Sequence, residues 1–238
     1  MNVDIATTYD SDSFREKLRA IDITVPHRTE GRKTPHTERW VICRLLSTLN
    51  RHSRLAFPVS VTHRDKPDFL LIQSSLKVGI EVTEAISEQY AEFSALAERE
   101  FPDDLLDPGH FRWGSPRKTV EEMRIIIRQG CLTAPPWVGE RPEEEWALFM
   151  ESIVRTKLMK LKHHDFSKFT ENWLVIYNNL PIPNVHLQKA SFHLLPKIAF
   201  MWNVIPGFDR VYIEHGPVIL EVRKQDTEHL GIEDLWGG

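Results

Sequence analysis

The sequence predicts an α/β fold in which helices and strands interleave within one domain, and three observations carry the prediction. Two strand-like segments, Pro67–Gln73 (PDFLLIQ) and Lys77–Glu84 (KVGIEVTE), are joined through Ser74, Ser75 and Leu76, a connection short enough for an antiparallel hairpin. A helix with a recognisable start signal precedes them. A long amphipathic helix and then a strong strand, Asn172–Tyr177 (NWLVIY), follow. Helices and strands that interleave in this way make a layered α/β domain.

The elements are justified in chain order. Residues 1–33 lack sustained apolar periodicity and are expected to be an N-terminal lead-in, mobile or loosely packed; residues 34–238 are expected to form a single domain. Thr34-Pro35-His36-Thr37-Glu38 reads as a helix start, with threonine placed to cap, proline at the first helical position and an acid in the first turn. Ile42, Leu45, Leu46 and Leu49 form that helix's apolar stripe, to about Arg51. Arg54–Thr62 reads as a strand in which Pro58 favours an edge position or a bulge.

After the hairpin come a helix over Ile86–Glu100, a loop near Asp107-Pro108-Gly109 and a second helix over Val120–Gln129. The long helix spans Glu143–His163. A helical stretch around His186–Phe200 and a terminal hairpin, Asp209–Glu214 with Val218–Val222, complete the chain.

Composition narrows the function classes. The 238 residues are 41% hydrophobic and 27% charged, enough to bury a core without disulfides or a structural metal. No apolar run reaches the ~18 residues of a membrane span, the N-terminus carries no signal-peptide pattern, and no membrane partner is expected. Cys43 and Cys131 are far apart, which excludes a disulfide scaffold or zinc ribbon and points to a reducing cytoplasm.

The formal charge of -4 argues against a nucleic-acid partner only until its zoning is read. Arginines crowd residues 11–66 (among them Arg28, Arg32 and Arg39), acids dominate Glu81–Asp107, and bases return from Arg155 to Lys168.

The chemistry-bearing residues emerge from strand and helix geometry. Alternation puts Asp68 on one face with Leu70 and Ile72, and Glu81 on the face opposite Val78, Ile80 and Val82, so hairpin pairing brings the two carboxylates together. Paired carboxylates call for a cation between them, and oxygen ligands suit Mg²⁺ or Mn²⁺. At about 100° per residue, Lys157 falls in the middle of the stripe Trp146, Met150, Ile153 and Leu161, where it must snorkel or reach an internal polar site. Glu38 aligns in the same way with Ile42, Leu45 and Leu49. Glu84 reads as a strand end. His163, His164 and Asp165, like His186 and His193, read as helix-end or structural groups rather than a metal site. Phosphate-loop, hydrolase-elbow and cysteine-protease patterns do not occur.

The Pro67-Asp68 pair, followed after a short gap by Glu81-Val82-Thr83, resembles the signature of the PD-(D/E)XK nuclease superfamily, and the element order from about Thr34 to Asn178 resembles its restriction-endonuclease-like αβββαβ core. The inserted helices and the C-terminal extension over 179–238 lie outside that core. The resemblance implies a nuclease acting on nucleic acid, DNA in the first instance, with Asp68, Glu81, the carbonyl of Val82 and Glu38 holding Mg²⁺ or Mn²⁺. It further implies that the first-segment arginines, Arg39 among them, and Lys160, Lys162 and Lys168 hold the nucleic-acid backbone, and it leaves a homodimer open.

One departure stands out: Thr83 occupies the place of the family's lysine, so the site is either inactive or served by a lysine from the second core helix, with Lys157 the candidate. The alternatives are therefore a catalytically inactive nuclease-fold protein that binds nucleic acid, or a protein-interaction module whose acidic stretch, Glu84–Asp107, meets a basic partner.

Overall fold

The computed structural model describes residues 3–26 and 30–237. Arg28, one of the first-segment arginines, lies outside the described residues. The described chain is an α/β protein divided into two compact units, the first comprising residues 1–84, 154–177 and 199–238, the second residues 85–153 and 178–198.

The first unit carries an open, mixed, eight-stranded sheet whose strands follow one another in chain order. They are β1 (Ile5–Thr8), β2 (Val59–His63), β3 (Phe69–Gln73), β4 (Leu76–Ala85), β5 (Glu171–Asn178), β6 (Arg210–His215), β7 (Val218–Val222) and β8 (Thr227–Gly231). Strands β1 to β4 form an antiparallel run, β5 and β6 are parallel, and β6 to β8 are again antiparallel. Helices lie between β1 and β2 in the chain, whereas short connections join β2 to β3, β3 to β4, β6 to β7 and β7 to β8. In the β3–β4 hairpin Ser74 takes a positive φ of 52°, the left-handed conformation a tight turn requires.

Helix α1 (Ser11–Arg19) and helix α2 (Thr34–Arg51) share the first unit's core with the sheet. In α2, Ile42, Leu45, Leu46 and Leu49 are fully buried, the stripe the sequence predicts, and each such burial contributes about 1.5–3 kcal/mol. Phe14 and Leu18 of α1 join them, as do Val59, Val61, Phe69, Leu71, Val78, Ile80 and Val82 from the strands.

Four expectations need correction. Residues 5–19, expected to be a mobile or loosely packed lead-in, form a strand and a helix. Asp10 caps that helix through the Ser13 N–H at 2.8 Å, and Phe14 and Leu18 are fully buried. Nine helical residues are too few for a periodicity window of 11–18. The α2 cap is Lys33 rather than Thr34, its N–H donating to His36 Nδ1 at 3.0 Å. Of the edge or bulge that Pro58 suggests, the edge is absent, because β2 pairs on both sides and starts just after the proline, while the β1–β2 register does shift between Ile5 and Thr8, which pairs with Val59. Finally, β8 extends the terminal hairpin into a three-stranded meander; Thr227–Gly231 has a single buried residue, Leu230, so no alternation betrays it.

The second unit holds α3 (Glu88–Glu100), a 3₁₀ turn at Pro108–Phe111, α4 (Val120–Arg128), the first part of α5 (Arg141–Leu161) and α6 (Leu187–Ile198). Its own core gathers Phe93, Leu96, Ala97, Phe111, Met123, Ile126 and Ile127. Two carboxylates of the acidic stretch are paired inside this unit, Glu92 with Arg117 at 2.5 Å and Glu100 with Arg124 at 2.9 Å. No described helix is long and apolar enough to cross a membrane. Both cysteines are free, and burial pushes the Cys43 thiol up to about 12.

Candidate active site

The hairpin register builds the site. Phe69 pairs with Ile80 and Leu70 with Gly79, so one step further along the antiparallel ladder Asp68 stands opposite Glu81, on the face away from Ile80 and Val82. The Val82 N–H donates to Asp68 Oδ2 at 2.7 Å, tying the aspartate to β4. Gly79 belongs to the same face, where a Cβ would stand 2.6 Å from Phe169 and 2.9 Å from Pro67; the close cover of those rings is what the glycine permits.

Lys157 arrives from α5. Its ammonium donates to Glu81 Oε1 at 2.7 Å and to the Val82 carbonyl at 3.3 Å, and both charged side chains are about nine-tenths buried (13% and 10% exposed). The lysine that the helical wheel sets on an apolar stripe therefore ends at an internal polar site. It reaches the strand that carries Thr83 from a helix more than seventy residues downstream in the sequence. Glu38 comes from α2, with Oε2 3.9 Å from His63 Nε2 of β2; His63 in turn sets its ring edge-on to Phe69. Glu38 lies beyond the first turn of α2, so the helix dipole, which fades within that turn, does not account for it.

The electrostatics follow from burial and crowding. Burial, reinforced by the charge of Glu81, raises the Asp68 carboxyl to about 7; the Val82 N–H pulls the other way. Burial also raises Glu38, against the lowering influence of His63 and with a further rise from Glu81. Carboxyls that resist ionisation side by side are the arrangement a bound cation relieves. Every donor here is an oxygen, which suits a hard cation such as Mg²⁺; that ion takes one or two carboxylates and fills its remaining positions with water and phosphate. Among the described residues no three His, Cys, Asp or Glu side chains form a metal-binding group, so the oxygen set of the site is the Asp68–Glu81 pair with the Val82 carbonyl, and Glu38 stands beside it.

A cavity of about 390 Å³ is lined by Glu38, Asp68, Val82, Thr83, Glu84 and Lys157, together with Arg32, Lys33, Thr34 and Thr37. The sequence places Arg32 only among the first-segment arginines and Thr37 only in the start of a helix, and it does not single out His63. Arg32 sits before the helix, where no periodicity speaks for it, and His63 ends a strand whose partners lie elsewhere in the chain.

The remaining candidates are not gathered here. Arg39, expected to be a solvated phosphate contact, is instead buried, 6% exposed, and its guanidinium donates to the Thr24 carbonyl at 3.3 Å. Lys160 is exposed and lines a separate cleft of about 600 Å³ that Glu81 also borders, while Lys162 is exposed at the end of α5. Lys168 donates to the His163 carbonyl at 2.6 Å. His163 pairs with Asp165 at 2.6 Å, which also binds Lys66; the two partners hold that aspartate far below the usual carboxylate range.

Fold and site together define an α/β protein with a half-enclosed, all-oxygen acidic centre and one engaged lysine. Comparison of the chain with protein-family models, with curated proteins and with solved structures gives no match.

Proposed function

We propose that this chain is a Mg²⁺-dependent nuclease of the PD-(D/E)XK superfamily, hydrolysing phosphodiester bonds of DNA, in which Lys157 on the second core helix replaces the lysine missing at Thr83. One observation carries the reading: the Lys157 ammonium lies 2.7 Å from Glu81, on the strand face where the register sets Asp68. The element order α2, β2, β3, β4, α5, β5, with α3 and α4 between β4 and α5, supports a restriction-endonuclease-like core. The free cysteines are in keeping with a reducing cytoplasm.

Asp68, Glu81 and the Val82 carbonyl would hold the ion, with Glu38 at its margin. When bound, the ion supplies Lewis acidity to the phosphate and acidity to a water. The chain's own part is positional. Lys157, held by Glu81 and the Val82 carbonyl, has one N–H left for the cavity and with it orients the attacking water there. Asp68, whose ionisation burial disfavours, is drawn to its carboxylate form once a cation faces it.

A second reading has its own support. Lys157 already occupies two of the oxygens a metal would use, Glu81 Oε1 and the Val82 carbonyl, as in a nuclease fold retained for binding alone.

The test is cleavage of supercoiled plasmid and of labelled DNA and RNA oligonucleotides in Mg²⁺, Mn²⁺ or EDTA, with sedimentation to record whether the chain dimerises. Asp68→Asn and Lys157→Met are each expected to lower turnover by roughly 10²-fold or more. Undiminished cleavage by Asp68→Asn sinks the site; salt-sensitive DNA binding with no turnover in any metal favours the binding-only reading.

A further inference from the structure

Resting on the nuclease reading, we propose that Arg32 is the phosphate-binding residue of this site: a guanidinium held in place by Thr37 and Glu84 that offers its remaining edge to the phosphodiester. Arg32 Nε and Nη2 lie 3.3 and 3.1 Å from Thr37 Oγ1, and Nη2 lies 3.7 Å from Glu84 Oε2. Thr37 is 9% exposed on α2 and Glu84 belongs to β4, so the guanidinium is braced from two elements of the same unit. Nη1 makes no hydrogen bond to any described residue, and the side chain, 23% exposed, lines the cavity that holds Asp68, Val82, Thr83 and Lys157.

Charge makes this edge necessary. An anionic substrate entering the cavity meets Glu38, Asp68 and Glu84. The lysine ammonium nearest to them is engaged by Glu81 at 2.7 Å, and Thr83 contributes no charge. A planar guanidinium braced at Nε and Nη2 keeps the two N–H bonds of Nη1 for phosphate oxygens, and it loses little freedom when they bind. Lys33, exposed beside it on the cavity wall, adds positive charge without comparable bracing. Thr37 and Glu84 are in this scheme positioning residues, which gives Glu84 a role beyond ending a strand.

The experiment is binding, independent of turnover: fluorescence anisotropy of a labelled DNA duplex in EDTA over a salt series, with melting curves as the folding control. For Arg32→Ala the slope of log K against log salt is expected to shrink by about 1, with roughly tenfold weaker binding at low salt. Arg32→Lys restores the slope without the full affinity. Thr37→Val keeps the slope and binds more weakly. An Arg32→Ala protein that melts as the wild type and keeps its slope and affinity overturns the assignment. Salt-dependent binding by wild type without cleavage in Mg²⁺ would remove the nuclease reading and leave Arg32 standing; no salt-dependent binding by wild type removes both.

Discussion

Replacing Asp68 with asparagine abolishes the pH dependence of stability that this one carboxyl imposes. In the folded chain burial and Glu81 raise its pKa to about 7 from an ordinary 3.8, while asparagine carries no proton to lose and keeps an acceptor for the Val82 N–H. Between those two values the folded protein holds a proton that the unfolded chain has released. The associated stability is therefore complete below about pH 4 and is lost as pH rises through 7. The gap between 3.8 and about 7 corresponds to about 4 kcal/mol, of which about 3 kcal/mol falls between pH 5 and pH 8. Glu214, also raised to about 7 by burial, acts with the same sign but is common to both proteins and cancels in the comparison. The assay is urea unfolding of wild type and Asp68→Asn in EDTA across that range, with the wild type expected to lose about 3 kcal/mol more than the variant. Mg²⁺ at about 100 times its Kd should then return about 3 kcal/mol to the wild type at pH 8 and nothing to the variant. Parallel pH profiles would refute the burial argument, and equal Mg²⁺ responses would refute the metal assignment.

Lys157→Met strands the Glu81 charge, 7% exposed, without its partner, and is expected to cost about 3–5 kcal/mol in urea unfolding. Adding Glu81→Gln should recover most of that loss; a single-variant cost below about 1 kcal/mol would mean the pair is not desolvated as described. Leu18→Ala, in the helix that periodicity overlooks, should cost about 2–5 kcal/mol because the side chain is fully buried against α2 and the sheet. A loss near zero by thermal or urea unfolding would show that α1 is not part of the core.

Much of the site was legible because strand and helix periods are local properties. Alternation alone puts Asp68 and Glu81 on one face, and the 3.6-residue period alone sets Lys157 and Glu38 on buried stripes. Arg39 defeated the same logic. Its position in an arginine-rich segment implies a solvated charge, whereas it lies buried against the Thr24 carbonyl, a contact between segments that no period encodes.

The sequence by itself determined the α/β class, the hairpin with its facing carboxylates and the odd lysine on an apolar helix, since each follows from backbone geometry over a few residues. Only the tertiary structure decided which charges meet. It joined Lys157 to Glu81 across 76 positions, set His63 beside Glu38, and braced Arg32 between Thr37 and Glu84. Those pairings depend on how helices dock on the sheet. Docking is governed by the buried apolar surface as a whole, and no local pattern specifies it.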